Sequence, residues 1–233
     1  MAERCLFLFT KPARPGRVKT RLIGELSAEA AAELHAAFLG DLVEELARGD
    51  FELRLAWALE PGEPLPTAAV PGVRQEGTDL GDRLYGVLRA GAERWPLVAA
   101  AGSDHPELTA RRVEEAFDRL AGGADVVLGP ARDGGYYLIG LRAAAIERRL
   151  FAGVPWSSAG VLAATLERCR RAGRRVALLP EEADVDRPED LSRLAGALAE
   201  APARCPRTRR LLAAWGRVPA AAGATGAGGA RRR

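Results

Sequence analysis

The sequence lacks the segments that mark membrane, secreted and disulfide-linked proteins. Its apolar runs, such as CLFLFT and PLVAAA, are far shorter than the roughly 18 residues that a membrane-spanning helix needs. The N-terminal run passes directly into a charged loop without a small-residue cleavage site, so we expect no signal peptide. The three cysteines, Cys5, Cys169 and Cys205, are widely spaced and form no metal motif. We therefore expect a cytoplasmic protein with no membrane partner.

The chain also lacks an excess of positive charge outside its last three residues. The net charge of +3 equals that of the terminal RRR alone, which leaves the rest close to neutral. A nucleic-acid partner is not expected, because such a partner needs basic residues concentrated on a folded surface. The closing segment is rich in Ala and Gly without a hydrophobic period, so we predict a disordered tail over residues 217–233 after a single domain, residues 1–216.

Asparagine is absent, glutamine occurs once, and only two of the 34 basic residues are lysines, Lys11 and Lys19. Both lysines lie in one stretch, TKPARPGRVKTR, residues 10–21. Lysine is a compact point charge on a thin stem, whereas arginine is a planar fork. A loop that keeps lysine in an arginine-rich chain therefore suits a crowded phosphate group, with chance or N-terminal solubility as the alternative.

Apolar periodicity predicts that strands alternate with helices along the chain. Strands are predicted at 4–10, 51–59, 73–75, 96–102, 124–130, 135–141 and 174–180. Helices are predicted at 27–47, 79–94, 106–120, 158–172 and 188–199. Such alternation indicates an α/β protein with three α/β/α layers, in which helices cover both faces of a mostly parallel sheet.

Polar clusters follow four of the predicted strands, with the sequences TKPARPGRVKTR, GSDHP, GPARDGG and EEADVDRPED. In open parallel sheets, ligands bind beyond the carboxyl ends of the strands. We therefore expect these clusters to contribute to one site.

The first cluster surrounds Gly16 with five cations, Lys11, Arg14, Arg17, Lys19 and Arg21. Backbone N–H groups and cations that converge in a loop suit a polyphosphate, although a solvated basic loop has the same composition. The spacing from Gly16 to Lys19 differs from that of a Walker P-loop. The absence of a GxGxxG motif after the first strand gives little support to a dinucleotide-dependent oxidoreductase.

Carboxylates dominate the second and fourth clusters. Asp104 follows a buried strand, and a divalent cation such as Mg²⁺ needs only one or two carboxylates when phosphates and water supply the other ligands. Asp184 and Asp186 face the same side of an extended segment, so one of them is a candidate second ligand. Helix N-capping is the alternative role for Asp104 and Asp186. His35 and His105 have no histidine partner in the pattern, so a histidine-based metal site is not expected.

Glycines and tyrosines characterise the third cluster. Gly134 and Gly135 permit a positive φ or the close approach of a ligand to the backbone. Tyr136 and Tyr137 should point to opposite sides of a strand, one into the core and one toward the cleft. A type I′ hairpin turn around Asp133 and Gly134 is an alternative reason for the glycines.

Six stretches resemble, in the same order, a bacterial family of GT-A-fold, glycosyltransferase-like proteins of the radical-SAM/selenodomain-associated type. They are FTKPARPGRVKTRL, EGTDLGDRL, GSDHPELT, LGPARDGGYYLIGL, GVPWSSAGVLAATL and DVDRPEDL, within residues 4–199. That family is similar to small nucleotidyltransferases, including molybdenum-cofactor and phospholactate guanylyltransferases. The resemblance implies a GT-A fold and a nucleotide-activated donor.

The resemblance also assigns expected roles to individual residues. Lys19 and Asp104 would be catalytic. The donor's phosphates would be held by Lys11, Gly16, Lys19 and Arg21, with Asp79 and Gly81 near its base or ribose. Mg²⁺ or Mn²⁺ would be held by Asp104, with Asp186 as the second ligand. The acceptor pocket would be bordered by Asp133, Gly134, Gly135 and Trp156.

Two departures from the family pattern bear on the donor. The first loop has fewer glycines than nucleotidyltransferase loops usually carry, and GSD supplies one aspartate where many glycosyltransferases have an Asp-x-Asp pair. The expected function is a metal-dependent transferase that uses a nucleotide donor and a small-molecule acceptor. Nucleotidyl transfer from a nucleoside triphosphate is slightly favoured over glycosyl transfer from a nucleotide sugar. A non-catalytic nucleotide-binding module is the alternative, and the sequence does not indicate the oligomeric state.

Overall fold

A computed structural model describes residues 3–219 of the chain, in which strands and helices alternate. The strands are β1 Arg4–Thr10, β2 Glu52–Trp57, β3 Gly72–Arg74, β4 Leu97–Gly102, β5 Val126–Pro130, β6 Tyr136–Arg142 and β7 Val176–Leu178. The helices are α1 Ala28–Leu46, α2 Leu80–Gly91, α3 Ala110–Ala121, α4 Val161–Arg171, α5 Pro188–Glu200 and α6 Pro206–Ala214. No helix within residues 3–219 is long and apolar enough to cross a membrane.

The seven strands form one sheet in the order β3-β2-β1-β4-β6-β5-β7. All neighbouring pairs are parallel except those of β6, which runs antiparallel to β4 and to β5. Six strands therefore end at the same edge of the sheet, and β6 begins there. The predicted α/β fold with a mostly parallel sheet is confirmed.

Two separate cores cover the two faces of the sheet, because successive side chains of each strand point to opposite faces. Leu6 and Leu8 of β1 pack with α1 and α3 on one face. Phe7 packs with α2 and α4 on the other face. Each fully buried leucine or phenylalanine contributes about 1.5–3 kcal/mol to folding, so both layers of helices are held firmly on the sheet.

A third core joins α1 to the C-terminal helices α5 and α6. Leu34 and Phe38 of α1 meet Leu194 of α5 and Leu212 of α6, all four fully buried. No element is predicted from the sequence at the position of α6, because its sequence PRTRRLLAA has little apolar periodicity. Val218, two residues beyond the predicted domain boundary, is also buried in this core, whereas residues 220–233 of the predicted tail lie outside the described residues.

Helix α3 begins later than the sequence analysis predicts. The sequence predicts a start near residue 106, but the helix begins at Ala110 with Thr109 as its N-cap. The Thr109 hydroxyl accepts a hydrogen bond from the Arg112 amide at 3.2 Å, which satisfies one of the free N–H groups of the first turn. Residues 103–109 are consequently loop, and Asp104 lies in that loop near the carboxyl end of β4.

Candidate active site

Three chain segments meet at the carboxyl edge of the sheet, in the loops that follow β1, β4 and β7. The Val185 amide donates a hydrogen bond to the Asp104 carbonyl at 3.1 Å. The Lys19 Nζ donates to the Val185 carbonyl at 2.7 Å. The three loops are therefore tied together at Val185, whose backbone amide and carbonyl bind the loops that carry Asp104 and Lys19.

Lys19 points inward and lies at the centre of this junction. Its backbone is left-handed, with φ 47°, and its side chain is only 1% exposed. The ammonium contacts the Asp104 carboxylate, and its Nζ lies 3.4 Å from Oδ1 of Asp186. The Phe38 ring centroid lies 5.2 Å from the same nitrogen, which adds a cation–π contact. One buried lysine thus joins two carboxylates from different loops.

Asp104 combines a crowded carboxyl group with an open path to solvent. Half of its side-chain surface, 52%, is exposed through the adjoining pocket. Burial among protein atoms acts to raise the pKa of Asp104, but the Lys19 ammonium acts in the opposite direction and the pKa is lowered below its usual value. Asp104 is therefore a charged carboxylate that a ligand in the pocket can reach.

The capping alternatives for Asp104 and Asp186 are wrong. Thr109 caps α3, as described above. At the start of α5, the Asp190 carboxylate accepts hydrogen bonds from the amides of Asp186 and Arg187, at 3.2 and 2.9 Å. The Asp186 carboxylate instead faces Lys19 and accepts a hydrogen bond from Arg21 Nη1 at 3.2 Å. Both aspartates present their oxygens to the site.

Asp184 also faces the site but has a different electrostatic environment. Burial, together with the nearby carboxylates of Asp133, Asp104 and Asp186, raises the pKa of Asp184 to about 6, while His105 acts to lower it. Its Oδ1 lies 3.9 Å from Nδ1 of His105. The pKa of the Asp184 carboxyl group therefore lies well above that of an ordinary aspartate.

His105 holds the loop after β7 in place. Its Nδ1 donates a hydrogen bond to the Ala183 carbonyl at 3.0 Å, and its Nε2 contacts the Glu182 carboxylate. Arg112 Nε donates to the same carboxylate at 2.9 Å. The Tyr137 ring stacks on the imidazole with centroids 5.1 Å apart. His105 is thus a positioning residue for the segment that carries Asp184 and Asp186.

His35 positions the start of the basic loop, a role that the sequence analysis did not assign. Its Nε2 donates to the Lys11 carbonyl at 3.1 Å and lies 3.3 Å from the Thr10 hydroxyl. Thr10 in turn accepts a hydrogen bond from Ser103 Oγ at 3.1 Å. Burial lowers the pKa of the His35 imidazole. The available signal was the position of His35 on the apolar stripe of α1, between Ala31 and Phe38.

A pocket of about 500 Å³ adjoins Asp104 and Asp186. Four carboxylates and two guanidinium groups contribute to its lining, those of Asp104, Asp133, Asp184, Asp186, Arg21 and Arg187. Its apolar side includes Leu80, Tyr136 and Trp156. A pocket with both charged and aromatic side chains in its lining suits a small polar molecule with an apolar face.

The aromatic part of this lining agrees with the alternation predicted for β6. Tyr137 is buried against His105, whereas Tyr136 borders the pocket and meets Trp156 edge to face, with ring centroids 6.4 Å apart. Trp156 packs directly over Gly81, where a Cβ atom would lie 2.6 Å from its Nε1. Gly81, predicted to lie near the base or ribose, is therefore placed behind a pocket residue. Asp79 caps α2 by accepting a hydrogen bond from the Asp82 amide at 2.8 Å.

The turn before β6 is fixed to the start of α4. Gly134 has φ 87° and donates its amide to the Ala131 carbonyl, while its own carbonyl accepts from the Leu162 amide at 2.9 Å. The alternative of a type I′ turn is wrong, because that turn needs a positive φ at both central residues and Asp133 does not have one. Asp133 and Gly135 border the pocket, as does Trp156, while Gly134 forms the contact behind them.

The predicted phosphate-binding residues divide between two places. Arg21 borders the pocket described above, and Lys11 borders a second cavity of about 260 Å³. This cavity also includes three guanidinium groups and two carboxylates, those of Arg14, Arg17, Arg83, Glu60 and Glu63. Gly16 lies in the loop between Lys11 and Arg21, and its backbone is left-handed, with φ 72°. The loop therefore extends from one cavity to the other, with Lys19 buried near its end.

Asp104 and Asp186 fit the ligand chemistry of Mg²⁺ or Mn²⁺. Both present carboxylate oxygens to one cationic group, the Lys19 ammonium, and hard divalent cations prefer oxygen ligands. Within residues 3–219, no three His, Cys, Asp or Glu side chains converge to hold a metal ion by themselves. Phosphate oxygens or water would therefore have to complete the coordination shell.

Comparison with known proteins identifies relatives of this chain. A bacterial family described as "Uncharacterized protein conserved in bacteria (DUF2064)" matches residues 48–158. A solved structure from Desulfovibrio desulfuricans G20, named as a candidate nucleotide-diphospho-sugar transferase, is 32% identical, with a TM-score of 0.85. That match covers 92% of this chain and 95% of the Desulfovibrio chain. No protein of curated function matches the sequence.

More distant structures share the fold alone. A cytidylyltransferase from Leptospira borgpetersenii is 12% identical with a TM-score of 0.56, over 93% of this chain and 96% of its own. Molybdopterin-guanine dinucleotide biosynthesis protein A from Archaeoglobus fulgidus is 13% identical with a TM-score of 0.55, over 84% and 99%. The fold is thus that of nucleotide-diphospho-sugar transferases and nucleotidyltransferases. On these findings, the chain belongs to the same family as the Desulfovibrio protein and shares its fold over almost its whole length, and its residues 48–158 match the bacterial DUF2064 family.

Proposed function

We propose that this protein is a metal-dependent transferase that uses a nucleotide-activated donor, and that the reaction is nucleotidyl transfer from a nucleoside triphosphate. The observation that supports this proposal is the junction of Lys19 with Asp104 and Asp186 beside a polar pocket. The junction combines a buried cation with two carboxylates that suit a divalent metal. It lies at the carboxyl edge of the sheet, where α/β proteins bind their ligands.

The residues of the first loop would act on the phosphates of the donor. Arg21, whose side chain is 58% exposed, lies beside Asp186 and can reach a phosphate in the pocket. Lys11 is exposed at the other end of the loop. Cations in these positions lower the barrier by neutralising charge that develops on the leaving phosphate. When bound, Mg²⁺ or Mn²⁺ held by Asp104 and Asp186 would supply further neutralisation of the same charge.

The acceptor would lie in the pocket lined by these charged and aromatic side chains. Tyr136 and Trp156 offer ring surfaces to its apolar face, and Asp133 and Asp184 offer carboxylates to its hydroxyl or amino groups. A direct attack by the acceptor on the donor requires no covalent intermediate with the protein. The pocket volume of about 500 Å³ accommodates a small molecule.

Glycosyl transfer from a nucleotide sugar is the second candidate function. It is supported by the relative from Desulfovibrio desulfuricans, whose name is that of a candidate nucleotide-diphospho-sugar transferase and which is 32% identical. The two reactions differ in the bond that breaks. Nucleotidyl transfer releases pyrophosphate, whereas glycosyl transfer releases a nucleoside diphosphate or monophosphate.

A thermal-shift panel tests both candidates. Nucleoside triphosphates and nucleotide sugars are added separately, each with Mg²⁺, with Mn²⁺ or with a chelator. A ligand present at 100 times its Kd stabilises the folded state by about 2.7 kcal/mol, which corresponds to roughly 5–10 °C for a domain of this size. We expect a metal-dependent shift with one nucleoside triphosphate.

The alternative outcomes have distinct meanings. A shift with a nucleotide sugar alone would favour glycosyl transfer. Tight binding without turnover of any tested acceptor would favour a nucleotide-binding module. No shift with any nucleotide would contradict the proposed donor class.

A further inference from the structure

The Lys19 ammonium occupies the position between the carboxylates of Asp104 and Asp186. Its three N–H groups have three acceptors in the structure, the two carboxylates and the Val185 carbonyl at 2.7 Å. An ammonium group has three donors, so the number of acceptors around Nζ matches the number of its N–H groups. The side chain is 1% exposed, and therefore these contacts replace hydration almost completely.

A divalent cation bound by the same two carboxylates would compete with Lys19. Such a cation would strongly repel a buried ammonium close to it, because water does not screen the two positive charges from each other inside the protein. The ammonium must also lose acceptors when a metal takes their oxygens. Phosphate oxygens can compensate for both effects, because they can bind the metal and accept hydrogen bonds from the displaced ammonium.

We propose that Lys19 is the resident counter-ion of Asp104 and Asp186, and that a divalent cation binds there only together with the phosphates of a donor. This inference rests on the proposed function for the identity of the second ligand. It makes Lys19 a residue that keeps the two carboxylates paired in the free protein and suppresses binding of the metal alone. The role differs from that of a lysine that only holds phosphate.

The other lysine of the loop provides a matched comparison. Lys11 is exposed and borders the second cavity. Lys11 and Lys19 have the same charge and lie in the same loop, but only Lys19 contacts the two carboxylates. Removing either lysine lowers the net charge equally. A difference in Mn²⁺ affinity between the two variants therefore results from the contact of Lys19 with the carboxylates and not from the change in net charge.

The experiment measures the binding of Mn²⁺ alone, by the loss of the free-ion EPR signal or by calorimetry. The proteins are the wild type, Lys19→Met, Lys11→Met and the double variant Lys19→Met/Asp104→Asn. We expect weak, millimolar binding to the wild type and to Lys11→Met. Lys19→Met should bind Mn²⁺ about tenfold more tightly or better, and the double variant should lose this gain because one carboxylate is gone.

Several results would overturn the inference. Tight binding of Mn²⁺ to the wild type would do so without any variant. Equal affinities of wild type and Lys19→Met would do so as well, as would an equal gain in Lys11→Met. If Lys19→Met does not fold, judged by circular dichroism, Lys19→Gln replaces it, because Gln keeps a donor for the Val185 carbonyl while removing the charge.

The Mn²⁺ measurement tests the role of Lys19, and the nucleotide panel tests the proposed function, so either proposal can be wrong while the other stands. If no nucleotide binds, the proposed function is wrong, yet the affinity of Mn²⁺ for wild type and Lys19→Met still decides whether Lys19 is the counter-ion. If a nucleotide binds but the two proteins bind Mn²⁺ equally, the transferase proposal stands and the role of Lys19 does not.

Discussion

The Asp184 carboxyl group illustrates how one residue can lower the stability of the folded protein at neutral pH. Burial and three neighbouring carboxylates raise its pKa from the ordinary value of 3.8 to about 6. Between these two pH values the folded state binds more protons than the unfolded state. The free energy of unfolding therefore falls as the pH rises through this window, and it stays lower above it.

Replacement of Asp184 by Asn should stabilise the protein at neutral pH. We expect a gain of about 1–2 kcal/mol near pH 7.5, seen as a rise in Tm of roughly 2–6 °C. Near pH 4 the gain should approach zero, because Asp184 is then protonated in the folded state. Glu189→Gln, at an exposed carboxylate with a similar change of charge, is the control. An equal gain at both pH values would contradict the role of the carboxylate charge.

The transfer reaction itself is testable at Lys19. If the proposed function is right, Lys19→Ala should abolish transfer, because the carboxylates lose their buried partner and the donor loses a cation. Turnover with the nucleotide identified by the thermal-shift panel is the measurement, with circular dichroism to confirm folding. Activity at the wild-type level would contradict a catalytic role for Lys19.

Residue chemistry was partly predictable from the sequence. The rarity of lysine singled out Lys19, and the position after a buried strand singled out Asp104. The contact between these two residues was not predictable, because it depends on a left-handed backbone at Lys19 (φ 47°) and on the Val185 carbonyl from a distant loop. The pattern of one sequence does not report such three-dimensional convergence.

At the scale of elements, the turn before β6 shows how a loop is fixed by a contact that only glycine permits. A Cβ atom at Gly134 would lie 2.2 Å from the Ala159 carbonyl oxygen. The residue also has φ 87°, a region that L-residues rarely adopt. A side chain at Gly134 would therefore destabilise the folded state in two ways, through the contact with Ala159 and through the unfavourable backbone conformation.

Gly134→Ala and Gly173→Ala separate the two costs. Gly173 has φ 67°, but a Cβ atom there would meet no other atom within 4 Å, so its replacement should cost only the backbone penalty of about 1–2 kcal/mol. Gly134→Ala should cost about 3 kcal/mol or more, because the turn must also move away from Ala159. Urea unfolding gives both values through the midpoint and slope. Equal costs would show that the contact with Ala159 does not constrain the turn.

Elements with strong periodicity were predictable, and those defined by long-range packing were not. Helix α1 and strand β1 occur close to their predicted ranges, because Leu34, Phe38 and Leu42 form a regular stripe and RCLFLFT is β-rich. Helix α6 was missed. Its start is stabilised from α1, where the buried Asp41 carboxylate accepts hydrogen bonds from the amides of Arg207 and Thr208, both at 2.8 Å.

At the scale of the whole molecule, the third core connects the beginning and the end of the described chain. Leu22 and Phe38 contact residues of α5, α6 and the segment that follows, including the buried Val218. The Arg209 guanidinium also donates a hydrogen bond to the Pro219 carbonyl at 2.9 Å. We therefore propose that the stable domain includes residues up to about 219.

Two shortened chains test this boundary. A chain that ends at Pro219 should keep the Tm of the full-length protein within about 2 °C, which is the scale of a small surface change. A chain that ends at Ala203 should be severely destabilised, because it loses α6 and leaves Asp41 buried without the two amides that it binds. If the chain that ends at Ala203 has the same Tm as the full-length protein, α6 does not contribute to the stability of the core.

The fold class was predictable because the alternation of strands and helices extends over almost the whole chain. The sequence analysis did not predict the reversed direction of β6, although the short ARDG link to β5 is compatible with it because antiparallel strands need only a short connection. The order of the strands and the pairing of β4 with β6 depend on contacts between distant segments, and these contacts leave no periodic trace in one sequence.

The hydrogen bond from Lys19 to the Val185 carbonyl also has a consequence for biogenesis. Its two partners are 166 positions apart in the chain. A ribosome must therefore synthesise and release the segment beyond residue 185 before the junction can close. Contacts of such high sequence separation cost more loop-closure entropy than local contacts, so they slow folding. On a growing polypeptide, the junction of Lys19 with Asp104 and Asp186 therefore cannot be complete until almost the whole of the described chain has been synthesised.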